Sequence, residues 1–254
     1  MKNSFSRRQF IKKTALLTGV AASLTLFPSF AAETNAPSTT IPSDSNYTAH
    51  YAWNQGCERR VAAMKGKPCD IIFIGDSITD NFTGRPTPSW GSVGGPVWEK
   101  YYANRRALNF GVGADATQNV LWRLEHMDIQ EFKPKVAVIL IGTNNKNNSP
   151  EEIAAGVKTV VDKTRQTFPA AKIILMSILP NARATEKMAA ANNLIQQFGD
   201  DQTVFYFDLA SKMTPVGNSW KGLGPDRLHL LPEGYELWAS EMDPLLTKLL
   251  AAHP

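Results

Sequence analysis

Four short polar clusters carry residue types suited to chemistry: Gly75-Asp76-Ser77-Ile78, Gly111-Val112-Gly113-Ala114-Asp115, Gly142-Thr143-Asn144-Asn145 and Asp226-Arg227-Leu228-His229. The chemistry they suggest together is acyl transfer through a serine ester. A serine hydroxyl is a poor nucleophile until a base takes its proton and a third group orients that base. Ser77 follows an apolar run and opens a turn, where a helix N-terminus favours negative charge. His229 is the well-placed base, because His50 lies near the N-terminal helix, His126 falls in a helical pattern and His253 is the penultimate residue. Asp226, three residues before His229, can reach the second imidazole nitrogen and fix the tautomer. The backbone N–H of Ser77, an N–H from the Gly113-Ala114 turn and the amide of Asn144 would supply oxyanion donors.

Each cluster also has an ordinary structural reading. Gly-Asp-Ser after a strand serves as a turn and helix cap, and Gly-Thr-Asn-Asn as a loop with Asx turns. Gly-x-Gly is a tight turn; the six-residue dinucleotide fingerprint fails because position 116 is Ala. Asp-x-x-His is a structural hydrogen bond, or half of a metal site whose other ligands are missing. Their order along the chain, and the elements that must carry them, favour the catalytic reading.

Those elements alternate. Apolar runs at 71–74, 107–110, 136–141, 173–179 and 204–207 are short and continuous, as in strands buried on both faces of a parallel sheet. Helical patterns fill the gaps at 117–127 and 184–198, and a last helix runs from about 232 to 250. Ser149, Pro150 and Glu152 mark one helix start as N-cap, first position and capping-box partner. No internal repeat appears. The expectation is one α/β domain with a five-stranded parallel sheet. Ligands of such sheets bind beyond the carboxyl ends of the strands, where three clusters follow strands and the fourth precedes the last helix. Cys57 and Cys69 flank a helix and the strand after it, and the reading favours a bridge between them over two buried thiols.

The chain of 254 residues has 27 basic and 23 acidic side chains. Five cations (Lys2, Arg7, Arg8, Lys12, Lys13) and no acid lie in 1–31, which leaves 22 basic against 23 acidic beyond it. The basicity belongs to the N-terminal segment, so net charge gives a nucleic-acid partner no support. Ser6-Arg7-Arg8-Gln9-Phe10-Ile11-Lys12 is a twin-arginine run followed by a charge-free stretch at 14–30. Ser29 and Ala31 offer a peptidase site before Ala32. That stretch is short for a membrane span and diluted by Ala, Thr, Ser and Gly, so no stable anchor is expected. The segments expected are a signal peptide at 1–31, a disordered spacer at 32–48 rich in Ser, Thr, Pro and Asn, and a catalytic domain at 49–254. Export by the twin-arginine route would make the protein periplasmic or secreted.

With these blocks in this order, the chain resembles the SGNH (GDSL-type) hydrolase superfamily over most of residues 50–250. The stretch from Leu108 to Asp115, with Val120-Leu121-Trp122-Arg123-Leu124 and Gly142-Thr143-Asn144-Asn145 after it, is similar to a particular branch. That branch holds the catalytic subunits of platelet-activating-factor acetylhydrolase and bacterial esterases acting on acetylated sugars. The resemblance implies a three-layer α/β/α, flavodoxin-like fold, with Ser77 as nucleophile, Asp226 and His229 completing a triad, and Asn144 as oxyanion donor. It implies no metal and no organic cofactor. One departure is Ala114, where the family usually has an oxyanion glycine; a negative φ would suit alanine and a positive φ would strain it. The α/β-hydrolase elbow is excluded, since Gly75–Thr79 lacks its second glycine and Asp226 and His229 are sequence neighbours.

The function expected is an exported serine esterase removing short acyl groups from a small-molecule or oligosaccharide ester. The alternatives are a lipid-active acylhydrolase and a catalytically dead binding module. Loops at 81–98 and 213–224 carry Trp90 and Trp220 and lack the aliphatic run of an acyl-chain lid. Trp90 is the expected sugar-binding residue, with buried packing as its alternative role.

Overall fold

Continuous apolar runs become central strands because both faces of each strand are covered by helices. In the computed structural model, which describes residues 36–83 and 93–252, five strands form one parallel sheet: β1 (Ile71–Gly75), β2 (Ala107–Asn109), β3 (Val136–Leu140), β4 (Lys172–Met176) and β5 (Val204–Phe207). Their order is β2-β1-β3-β4-β5, the doubly wound arrangement of flavodoxin-like folds. From β1 the chain moves outward to β2 and then crosses to β3. The strand order therefore reverses between β1 and β3, and a crevice opens at their carboxyl ends.

Side-chain alternation divides the core in two. Ile72, Ile74, Ala137, Ile139, Ile173 and Leu175 face one layer. That layer holds α2 (Tyr51–Met64), α5 (Thr117–His126), α6 (Pro150–Thr167) and α7 (Thr185–Ile195). Ile71, Phe73, Val136, Val138, Leu140 and Ile174 face the other, against α4 (Gly95–Tyr102) and α8 (Pro232–Ala251). An aromatic cluster fills this second layer, with Phe82 packed on Tyr235 and Trp238 at ring-centroid distances of 4.6 and 4.8 Å. Each such side chain contributes roughly 1.5–3 kcal/mol by leaving water. The capping box of α6 is present: the Ser149 Oγ accepts from the Glu152 N–H at 3.2 Å and Glu152 accepts from the Ser149 N–H at 2.8 Å.

Several sequence expectations are corrected. Residues 36–48 are not a disordered spacer. They hold a 3-10 turn at Ser38–Thr40 and the start of α1 (Ser45–Ala49), with Thr39 and Asn46 buried. The Ser, Thr and Asn content that suggested disorder instead supplies side-chain hydrogen bonds: Thr39 donates to the Glu152 carbonyl at 2.7 Å, and the Thr117 hydroxyl donates to the Thr39 carbonyl at 2.7 Å. Cys57 and Cys69 are free and buried. The Cys57 sulfur accepts from Arg123 at 3.7 Å and the Cys69 thiol donates to the Ile71 carbonyl at 3.4 Å, so each is satisfied apart from the other. The stretch at 213–224 contains a small antiparallel hairpin of β6 (Pro215–Val216) and β7 (Ser219–Trp220). The segments at 1–31 and 32–35, and Trp90, lie outside the described residues.

Candidate active site

The β1 terminus sets the site. A side chain at Gly75 would collide with Thr79 and the Leu140 carbonyl, so only glycine allows the chain to turn there. Asp76 caps the short helix α3 (Ser77–Asp80), its carboxylate accepting the Ile78 N–H at 2.9 Å. Ser77 is thereby the first helical residue, partly exposed, with a backbone N–H that has no intrahelical acceptor.

The loop before α8 brings the partners. The His229 Nε2 lies 2.9 Å from the Ser77 Oγ, and the His229 Nδ1 lies 2.6 Å from the Asp226 Oδ2. The second Asp226 oxygen accepts the N–H groups of Leu228 and His229, each at 3.1 Å. Burial acts to raise the Asp226 carboxyl, but the bonds from the His229 ring and backbone outweigh it, and the group sits below the usual carboxylate range. An ionised Asp226 accepts a hydrogen bond from Nδ1–H and so keeps the proton on Nδ1, which leaves Nε2 as the acceptor for the serine hydroxyl. Arg227, the residue after Asp226, has a φ of 51°, in the left-handed region.

The Gly113-Ala114 turn follows β2. Ala114 has a φ of 62°, so the strained alternative holds, at a cost on the order of 1–2 kcal/mol for an L-residue with a Cβ. Among the described residues the Ala114 N–H has no acceptor. Asn144, after β3, donates one amide hydrogen to the Asp115 carbonyl at 2.9 Å, and its second is available to a ligand. Ser77, Asp226, His229, Ala114 and Asn144 thus all lie at the sheet edge where the strand order reverses.

Beneath them is a polar network that sequence reasoning did not foresee. The buried Arg123 on α5 donates to the Asp115 carboxylate and to the Phe110 carbonyl, both at 2.7 Å, and to the Gly75 carbonyl at 3.4 Å. It ties together the ends of β1 and β2. Burial pushes the Asp115 carboxyl up, against the opposing pull of Arg123. The Asp80 carboxylate accepts the Gly113 N–H at 3.1 Å and pairs with Arg60 at 3.0 Å. The sequence signal for Arg123 was a cation between apolar residues on the inward face of a helix; Asp80 and Asn46 had no comparable signal. Among the described residues no group of three or more His, Cys, Asp or Glu is placed to hold a metal ion. No helix among them is long and apolar enough to cross a membrane.

Comparison with known proteins agrees with this fold. The family model for the GDSL-like lipase/acylhydrolase family matches residues 73–237. The alpha2 subunit of human platelet-activating factor acetylhydrolase IB is 33% identical over 145 residues, which are 57% of this chain and 59% of the relative. The chain thus spans somewhat over half the length of that curated relative. A GDSL-like lipase from Bacteroides thetaiotaomicron shares the fold with a TM-score of 0.57 at 16% identity, covering 76% of this chain and 98% of that one. A carbohydrate acetylesterase family member from Sinorhizobium meliloti does so with a TM-score of 0.53 at 15% identity, covering 72% of this chain and 99% of that one. A five-stranded sheet in this order, with the first cluster at its switch point and a family match running from β1 into α8, makes the chain a member of the GDSL-like lipase/acylhydrolase family of ester hydrolases.

Proposed function

We propose that the protein is an exported serine ester hydrolase that removes short acyl groups, acetyl foremost, from a carbohydrate. The observation that carries the mechanism is the unbroken chain from Ser77 through His229 to Asp226, with contacts of 2.9 and 2.6 Å. The Ser77 Oγ attacks the acyl carbonyl carbon while its proton passes to the His229 Nε2. Asp226 steadies the imidazolium. The carbonyl oxygen takes the negative charge and is met by the N–H groups of Ser77 and Ala114 and the amide of Asn144. Collapse breaks the bond to the alcohol, which leaves with the proton from His229. Water then repeats the sequence on the acyl-enzyme, releasing the acid and restoring Ser77.

Two facts support the substrate. The acetylhydrolase relatives and the acetylesterase neighbour are both named for the hydrolysis of acetyl esters. In the loop at 213–224 the exposed residues are Thr214, Pro215, Val216, Gly217, Asn218 and Lys221, with Trp220 half-buried. Val216 is thus its one exposed aliphatic side chain beside Pro215, and the loop lacks the aliphatic run that would cover a long acyl chain. Trp90, outside the described residues, is the side chain proposed to bind the sugar. The family description as lipase/acylhydrolase keeps lipid esters as the second reading. Acetate release from acetylated oligosaccharides, with p-nitrophenyl acetate cleaved at a higher kcat/KM than the octanoate, supports the sugar reading. A preference for octanoate with no acetate released establishes the lipid one. Export is tested by replacing Arg7 and Arg8 with Lys: folded enzyme should stay in the cytoplasm, and unchanged periplasmic activity refutes the twin-arginine route.

A further inference from the structure

The segment before the first strand contains none of the four clusters, yet one of its residues grips the oxyanion turn. Asn46, on α1, is buried. Its side-chain amide donates to acceptors on both sides of Ala114: the Gly113 carbonyl at 2.9 Å and the Asp115 carboxylate. One amide group carries two N–H donors, so a single side chain can serve both acceptors at once. The remaining groups around Ala114 are also held. The Gly113 N–H goes to Asp80 at 3.1 Å, the Asp115 N–H to the Val112 carbonyl at 3.3 Å, and the Asp115 carbonyl receives Asn144 at 2.9 Å. Both neighbours of Ala114 are therefore pinned through N–H and C=O alike, while the Ala114 N–H is without a partner among the described residues.

Other contacts fasten the same segment to the start of α5, directly after the turn. The Ser43 N–H donates to the Gln118 carbonyl at 3.0 Å. The Asn119 amide donates to the Ser43 carbonyl at 3.0 Å, and the Asn119 side-chain oxygen accepts the Ala116 N–H at 3.0 Å. Behind α1, the Asn54 amide on α2 donates to the Asn46 carbonyl at 3.3 Å. A left-handed residue with a Cβ persists only when its surroundings over-determine it. Of the tethers on the two neighbours of Ala114, Asn46 supplies one to each, while Asp80, Val112 and Asn144 supply the others.

We infer that Asn46 is a positioning residue: it holds Ala114 in the left-handed conformation, and so presents the Ala114 N–H as an oxyanion donor for the ester hydrolysis proposed above, on which this inference rests. Without Asn46 the Gly113 carbonyl and one Asp115 oxygen lose their partner, and the turn can relax toward negative φ and swing the N–H away. An oxyanion donor acts where charge develops, so its loss falls on kcat rather than KM.

The test is a double-mutant cycle with Ala114→Gly, since glycine adopts φ near 60° without strain and needs no clamp. Asn46→Ala should lower kcat for p-nitrophenyl acetate roughly 10- to 100-fold with KM within about threefold. It should slow labelling by a fluorophosphonate by a similar factor. In the Ala114→Gly background the same substitution should cost less than about threefold. An equal loss in both backgrounds, or a loss confined to KM, overturns the inference. Asn46→Ser, which keeps a shorter donor, carries the same comparison if Asn46→Ala does not accumulate as folded protein. If the wild type takes no label, the serine-hydrolase reading fails and the inference with it. If the wild type labels and Asn46→Ala labels equally fast, the inference alone fails.

Discussion

Replacing Asp76 with Asn should stabilise the fold by an amount that grows as pH rises. The Asp76 carboxyl is fully buried, with one oxygen on the Ile78 N–H at 2.9 Å and the Thr143 hydroxyl beside it. Burial lifts it from an ordinary 3.8 to about 7; the Ile78 bond opposes that rise and the nearby Asp115 adds to it. A carboxyl whose value is higher in the folded than in the unfolded state holds its proton more tightly when folded. Stability is then unaffected below the unfolded value, falls as pH rises toward the folded value, and stays low above it. About three units at 1.36 kcal/mol each set a ceiling of about 4 kcal/mol, of which about 2–3 kcal/mol accrues between pH 5 and pH 8. Asn keeps the cap acceptor for the Ile78 N–H and carries no charge. Its amide hydrogens can donate to the oxygen of the neighbouring buried Thr143 hydroxyl. Urea unfolding of both proteins at pH 5, 6, 7 and 8 reads the effect, because subtraction cancels the other titrating groups. A difference between the two that stays constant from pH 5 to pH 8 would refute the reasoning.

Three further outcomes follow from the same geometry. Asp226→Asn should lower kcat by a factor on the order of 10³ or more by upsetting the His229 tautomer, and in the wild type the acid side of kcat/KM should show one ionisation. Asp226, held below the usual carboxylate range, stays charged until pH falls through that lowered value, so a second ionisation in the working range would contradict its assignment. Arg123→Met should cost about 3–5 kcal/mol by leaving the buried Asp115 without its cation; an equilibrium unfolding loss below about 1 kcal/mol would show the pair to be dispensable. Cys57 and Cys69 should resist a thiol reagent in the folded protein and both react after unfolding. Burial pushes the Cys57 thiol up and lifts the Cys69 thiol to about 12, so rapid labelling of either in the native state would contradict the packing around it.

The sheet was legible because its strands are buried on both faces, which writes them as unbroken apolar runs such as Ile71-Ile72-Phe73-Ile74. The four clusters were legible because they occupy strand ends and a helix entrance, where glycine, Asp and Ser have backbone duties as well as chemical ones. What failed was composition read as disorder. The segment at 36–48 has the Ser, Thr, Pro and Asn of a linker, but Thr39 and Asn46 use those polar atoms to bond buried backbone carbonyls. Such contacts join residues more than 60 positions apart and leave no periodic trace. The cysteines misled for a related reason: sequence proximity across a helix and a strand says nothing of direction, and each sulfur finds its own partner. The sign of φ at Ala114 was out of reach because alanine carries no preference for the left-handed region; tertiary contacts impose it.

The most direct test of the account is where a fluorophosphonate attaches. Peptide mass spectrometry of the labelled wild type should place the adduct on Ser77, beside His229 at 2.9 Å. Ser77→Ala should take no label and lose turnover of p-nitrophenyl acetate by a factor on the order of 10³ or more. An adduct on another residue, or a Ser77→Ala protein that hydrolyses the ester at the wild-type rate, would contradict the assignment of this site.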